Sequence, residues 1–356
     1  MAVRPPVPDM KALVLEDFGR MTVQERRTPS PAGDEVLIEI VATGICGSDI
    51  HGYTGENGRR IPGQIMGHET VGIVAEMGTE AASQEFTVGD VVTFNPVVVP
   101  AEHVAEFSGR EQHCPDKYVI GVAPDVVAAF AQYVTVPARN VVRLRPDMPV
   151  EYGALIEPLA VGVHAVRRVG VDHTSTVLVL GGGPIGQSAI LAARMAGARD
   201  IVVSEPDAGR RALCERLHAR TIDPKTGPVP EQVRRLLGGP ATVAIDAVGI
   251  EPTVAAALES VQLGAMVCLV GMGAPQFVLP AYRVSTDERS LVGSFTYSAQ
   301  DFRDAAHWVS GAPPELEELI SRQVPLEDGP QAFADLARGD GTAGKVLVRL
   351  QPASGT

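Results

Sequence analysis

An α/β chain of two unlike parts is what the sequence predicts, with a mostly-β first part and a doubly wound parallel sheet in the second. Two observations carry that expectation. Up to about residue 150, short apolar runs alternate with Gly, Pro and Asp turns, as in all-β organisation; the clearest runs are 11–15, 35–41, 71–77 and 90–94. From Glu157 onward, strand-like and helix-like runs alternate, which implies a parallel sheet with crossover helices. The strands are expected at Val177–Leu180, Ile201–Ser204, Val243–Ile245 and Met266–Val270, and helices at Gln187–Ala196 and Thr253–Ser260. A late run opening at Lys345 reads as a strand returning to the first part. A chain of 356 residues is also too long for one ordinary core, and two domains are the natural expectation.

Composition narrows the function classes. Thirty basic residues against 43 acidic ones give a net charge of −13, which favours solubility and argues against nucleic-acid or anionic-membrane partners. A small-molecule substrate remains. The cysteines Cys46, Cys114, Cys214 and Cys268 are scattered without a C-x-x-C pair, so a disulfide framework is not expected. Cys214 and Cys268 fall in helix-like and strand-like runs and read as small buried hydrophobes. The first ten residues have no apolar core of a signal peptide, and no run reaches the ~18 apolar residues of a spanning helix. A reducing cytoplasm fits these features. There are no repeats, and the tail after Leu350 is short and polar.

Three residues carry the chemistry. Cys46 stands in G-I-C-G-S-D-I-H, and His68 and Glu69 stand in M-G-H-E-T-V-G. A thiolate, an imidazole and a carboxylate are all donors that zinc accepts, and three protein ligands leave a position open, as in catalytic sites. The competing reading is a buried thiol beside a hydrogen-bonded His–Glu pair. Gly44, Gly47, Gly67 and Gly72 around the donors favour zinc, because glycine lets backbone close tightly on a ligand cluster.

The second motif is Gly181-x-Gly183-x-x-Gly186, with Pro184 and Ile185 between its last two glycines. It follows an apolar β-branched run and opens a helix-like one. In that setting the glycines permit a tight turn, close approach of a pyrophosphate and helix–strand packing, with the anion on the helix N-terminus. Glu205 ends the next strand about twenty residues on, where an acidic group meets the adenosine ribose hydroxyls. Asp246 and Gly249 close another strand on the same side of the sheet and are candidates to line the cofactor cleft. Glu205 favours NAD over NADP, since it would face an added 2′-phosphate. Arg210 and Arg211 follow and could neutralise such a phosphate, although an exposed helix face is the more ordinary place for them.

These motifs, with V-G-D-V-V, I-E-P-L-A-V-G-V-H-A-V and D-A-V-G, resemble in order the zinc-dependent medium-chain dehydrogenase/reductase family. The resemblance covers nearly the whole chain and is closest to the sorbitol, threonine and butanediol dehydrogenase branch. It implies a GroES-like catalytic domain at 1–156 and 297–356, a Rossmann dinucleotide-binding domain at 157–296, and an active site between them. It further implies that Cys46, His68 and Glu69 hold zinc, with Glu157 supplying or approaching a fourth position. Asp49 would orient His68, and Ser48 with His51 would relay a proton. The implied activity is hydride transfer between NAD(H) and a secondary alcohol such as a diol, polyol or cyclitol, in a homo-oligomer, dimer or tetramer.

One departure stands out. Family members often carry a second, structural zinc on four cysteines, and the matching positions here are Pro100, His103, Glu106 and Cys114. Proline cannot ligate, and structural zinc almost always takes four ligands, so one zinc per subunit is expected, with a degraded three-ligand site on His103, Glu106 and Cys114 as the alternative. Two other readings stay open on sequence alone. A zinc-free quinone or enoyl reductase would not need the Cys46–His68–Glu69 set. A non-catalytic structural protein would not need Ser48 and His51.

Overall fold

The computed structural model describes residues 9–56, 58–81, 85–339 and 341–350. The leader-free N-terminal reading at 1–8, the polar tail at 351–356 and Asn57 lie outside the described residues. The chain divides into two compact units. One comprises Met1–Glu157, Ala306–Leu316 and Ile320–Thr356, and the other Pro158–Ala305 with Glu317–Leu319.

The first unit is mostly β. Its strands are β1 (Met10–Asp17), β2 (Arg20–Arg26), β3 (Glu35–Gly44), β4 (Glu69–Met77), β5 (Val91–Phe94), β6 (Val97–Val98), β7 (Tyr118–Val119), β8 (Tyr133–Pro137) and β9 (Val141–Arg143), joined by β16 (Ile320–Pro325) and β17 (Lys345–Arg349). Seven strands form one sheet in the order β16-β17-β3-β4-β5-β9, with β8 also pairing β3. The late strand therefore does return to the first part of the chain, as expected. Two helices, α1 (Gly47–Thr54) and α10 (Gly329–Ala337), belong to this unit. Its core gathers Leu13, Ile38, Ile40, Phe94, Phe130 and Phe333, and Phe130 meets Phe333 edge to face with centroids 5.4 Å apart, a favoured aromatic geometry.

Three strand ends converge in this sheet. Gly44, the last residue of β3, pairs with Glu69, the first of β4, and on its other side with Leu347 of β17. The next amide, that of Ile45, donates to the Val346 carbonyl. Backbone pairing thus brings the segments bearing Cys46, Glu69 and Lys345 together although they lie far apart in sequence.

In the second unit, six parallel strands run in the order β12-β11-β10-β13-β14-β15. These are β10 (Thr176–Leu180), β11 (Asp200–Ser204), β12 (Arg220–Ile222), β13 (Ala241–Asp246), β14 (Val261–Leu269) and β15 (Ser290–Gly293). The helices are α2 (Ile156–Arg168), which starts at the unit boundary, α3 (Pro184–Met195), α4 (Ala208–Arg216), α5 (Val229–Leu237), α6 (Glu251–Ser260) and α7 (Ala281–Ser285). Along the chain, α8 (Ala299–Ser310) and α9 (Glu315–Leu319) each cross a unit boundary. The strand order is that of a Rossmann sheet, reversing direction between β10 and β13, and ligands of such sheets bind at this switch point. Both faces of the strands are covered, so β10 and β11 are buried along nearly their whole length, with apolar runs at 177–180 and 201–203, as parallel strands should be. Cys214 on α4 and Cys268 on β14 are buried, as read. No helix among the described residues is long and apolar enough to cross a membrane.

Candidate metal centre and dinucleotide site

Cys46 caps α1, with extended backbone at φ −86° and ψ 154°. Its amide donates to Asp49 Oδ2 at 3.1 Å, which fixes the first turn and holds the thiol beside the ends of β3 and β4. His68 and Glu69 arrive from the start of β4. Donor atoms of Cys46, His68 and Glu69 lie within 4.8 Å of one another, the one such group among the described residues. His68 and Glu69 are buried and Cys46 half-buried. Gly44 is required here: a Cβ on it would stand 2.4 Å from Glu69 Oε2.

The electrostatics say what the cluster fits. Asp49 Oδ1 lies 3.7 Å from His68 Nδ1 and 3.6 Å from Arg60 Nη2, which leaves His68 Nε2 as the donor facing the cluster. Lys345 is buried against Glu69 Oε1. Burial alone would pull the His68 pKa down, but Asp49, then Cys46 and Glu157, hold it at about 10. Burial pushes the Asp49 carboxyl up despite His68 and Arg60. Lys345 is held above the usual ammonium range, burial opposing and Glu69, Cys46 and Glu157 outweighing it.

Yet Glu69 Oε2, His68 Nδ1, Asp49 Oδ1 and the Arg60 Nε and Nη2 atoms are buried without a hydrogen bond, an arrangement native proteins rarely tolerate. With Cys46 as thiolate and His68 neutral, the forms in which they would ligate a metal, the four anions Cys46, Asp49, Glu69 and Glu157 face the two fixed cations Arg60 and Lys345. The surplus matches one divalent ion, and the soft and borderline donors match zinc. The residues fit zinc.

Ser48 and His51 share α1 with this centre. Ser48 is half-buried, and the exposed His51 places Nδ1 3.0 Å from Glu56 Oε2. Glu157 stands in the first turn of α2, close enough for its charge to act on both His68 and Lys345. Sequence reasoning missed the two buried cations. Arg60 belongs to none of the motifs, and Lys345 was read only as a strand residue. The available signal was a lysine opening the apolar run 346–348 of that strand.

At the second unit's switch point, β10 runs into Gly181, whose φ of +90° suits glycine. A Cβ on Gly186 would fall 1.9 Å from the Gly181 carbonyl oxygen, so the last glycine of the motif is a packing requirement between helix and strand. Pro184 opens α3 behind its cap Gly183, and Ile185 follows half-buried. Glu205 is buried: the Gly182 amide donates to its Oε2 at 2.7 Å and the Asp207 amide to its Oε1 at 2.8 Å. Both carboxylate oxygens therefore already tie the glycine loop to the β11 end.

The exposed-face reading of Arg210 and Arg211 is corrected. Asp207 caps α4 through the Arg210 amide, which turns the first turn of the helix back toward the loop. Arg211 Nη1 donates to the Glu205 carbonyl at 2.8 Å, and Arg210 Nη1 comes within 3.8 Å of a Cβ built on Gly183. Both are half-buried. Asp246 is buried as well, and burial pushes its carboxyl up. It accepts from Val248 N, Gly249 N and Thr253 Oγ1 at 2.9, 3.1 and 2.8 Å, so it shapes the turn that carries Gly249.

At the four positions of the lobe, Cys114 is buried. His103 Nε2 lies 3.3 Å from Asp116 and its Nδ1 3.8 Å from Glu106.

Comparison with known proteins agrees with this geometry. Residues 32–146 match the alcohol dehydrogenase GroES-like domain and residues 184–311 the zinc-binding dehydrogenase model. The chain is 30% identical over 341 residues to D-xylulose reductase A of Aspergillus niger, covering 93% of this chain and 94% of that one. Sorbitol dehydrogenase of Ovis aries is 30% identical over 356 residues, 98% of each chain. Among solved structures, 2R,3R-butanediol dehydrogenase from Bacillus subtilis superposes with a TM-score of 0.86 at 26% identity, covering 96% of this chain and 99% of that one.

Proposed function

Because this chain belongs to the zinc-dependent medium-chain dehydrogenase/reductase family, we propose that it oxidises the secondary alcohol of a diol, polyol or cyclitol with NAD, or reduces the matching ketone. The observation that carries the reading is the buried Cys46–His68–Glu69 cluster, with its unpaired polar atoms and a charge surplus suited to one divalent ion. The polyol class is supported by the names of the relatives, which reduce D-xylulose or oxidise sorbitol.

Cys46, His68 and Glu69 hold the ion, and Glu157 supplies or approaches a fourth position. Zinc supplies Lewis acidity, which makes a hydroxyl proton easier to lose at neutral pH. Asp49, 3.7 Å from His68 Nδ1, orients the ring by its charge, and Arg60 balances the Asp49 charge. Ser48 and His51 carry the substrate proton toward solvent; the exposed imidazole and its Glu56 partner suit the outer end of such a relay.

Gly181, Gly183, Pro184, Ile185 and Gly186 bind the pyrophosphate. Glu205, seated between two backbone amides, faces the ribose and disfavours a 2′-phosphate; Asp246 and Gly249 shape the neighbouring loop, and Arg210 borders it. The first unit is the catalytic half and the second the dinucleotide half, with one zinc per chain. A homo-oligomer, dimer or tetramer, is supported by the terminal strand β15 and the exposed Leu263, Val278 and Tyr282 of the same unit. A cytoplasmic location is supported by four free cysteines.

The test is turnover of the zinc-loaded chain with NAD over a panel of butanediol, sorbitol, xylitol, cyclitols and ethanol. Polyols or vicinal diols should lead. Preference for ethanol would remove the substrate class, and no turnover with any alcohol would remove the dehydrogenase reading.

A further inference from the structure

Reading Cys46, His68 and Glu69 as the zinc site leaves Lys345 without a task. It opens β17 with its side chain buried, and an uncompensated ammonium there would be costly. Its ammonium meets Glu69 Oε1, while Glu69 Oε2 lies against Gly44 without a hydrogen bond. The other groups acting on Lys345 are Cys46 and Glu157, both potential anions of the same centre.

The placement is not incidental to the fold. Backbone pairing of β17 with β3, and of β3 with β4, delivers Lys345 to Glu69 across a separation of 276 residues. A carboxylate that commits one oxygen to an ammonium has less charge to offer a cation through the other. We propose that Lys345 is a positioning residue that competes with the metal for Glu69, keeping this carboxylate a weak and exchangeable zinc ligand. Charge bookkeeping gives the same sign. Removing Lys345 leaves the anions Cys46, Asp49, Glu69 and Glu157 balanced only by Arg60, so the centre holds a divalent ion more tightly. A lysine with a merely structural role gives the opposite sign, because Glu69 without its partner would stray and free the ion sooner.

The inference rests on the zinc assignment and is tested on the zinc-loaded chain by following metal release to an excess of a colorimetric chelator. Lys345→Met should slow release by about tenfold, a modest share of what a unit charge a few Å from a carboxylate supports at protein-like dielectric. Lys345→Gln serves equally if the Met variant does not fold. Lys345→Arg, which keeps the charge, should release zinc at the wild-type rate. Unchanged or faster release from the Met or Gln variant overturns the inference while leaving the zinc site intact. A wild-type chain that takes up no zinc overturns the site assignment and this inference together.

Discussion

Two buried charge networks, one in each unit, contrast in how completely they are satisfied. In the second unit, Asp301 at the start of α8 accepts from His164 Nδ1 at 2.9 Å, Ser298 N at 3.0 Å, Ser298 Oγ at 2.7 Å and Arg167 Nη1 at 2.6 Å. Both its oxygens are used. Burial would raise its pKa, but His164, Ser298 and Arg167 hold it well below the usual carboxylate range. In the first unit, the centre around Glu69 leaves five buried polar atoms on Asp49, Arg60, His68 and Glu69 without hydrogen bonds. Each network mixes carboxylate, histidine and a cation, so residue type does not separate them. Satisfaction does. A network closed on itself stabilises a fold, whereas one that leaves a carboxylate oxygen of Glu69 unpaired in a cluster with a thiol and an imidazole is built for something else to complete it.

The largest expected effect lies in the incomplete network. Cys46→Ala should lower kcat/KM by about a thousandfold or more, the scale of several kcal/mol of lost Lewis-acid stabilisation, with circular dichroism unchanged. Retained activity would put the Cys46 centre in the same structural class as the Asp301 network. For that closed network the effect is on stability. Asp301→Asn should cost about 3 kcal/mol at pH 7, measured by denaturant unfolding, with zinc content unchanged.

The sign of its pH dependence follows from the depressed folded pKa. The Asp301 contribution is fully present above the unfolded carboxylate value of about 4 and fades as pH falls through the folded value. The gap between wild type and Asn variant should therefore narrow in acid; a gap that widens would refute the assignment. His51→Gln should slow alcohol oxidation by about ten- to a hundredfold at neutral pH, with partial recovery at higher pH as hydroxide takes the proton. A pH-independent loss would argue against a relay. Smallest is Glu205→Ala, expected to narrow the preference for NAD over NADP by about tenfold. It should also weaken NAD binding, since the Gly182 and Asp207 amides lose their acceptor. Equal use of both cofactors by the unaltered chain would show that Arg210 governs that pocket.

The sequence made the donors legible because their chemistry is carried by residue type and by glycine-flanked motifs. Cys46, His68 and Glu69 needed no knowledge of the fold to be proposed together, and Gly181 and Gly186 announced their turn and packing roles. The parallel strands were readable because apolar runs buried on both faces look alike wherever they occur. What stayed hidden depends on pairing across long separations. Lys345 reaches Glu69 only because β17 lies beside β3, and Arg60 reaches Asp49 from a segment without periodicity. Arg210 and Arg211 were misplaced for a local reason: the Asp207 cap sets the direction of α4, and helical spacing alone does not reveal which face meets the loop.

Zinc content per chain tests the central claim most directly. Elemental analysis of the purified protein and two variants should find about one zinc in the wild type, about one in Cys114→Ser and none in Cys46→Ala. Two zincs per chain with one lost in Cys114→Ser, or a full complement in Cys46→Ala, would contradict the account.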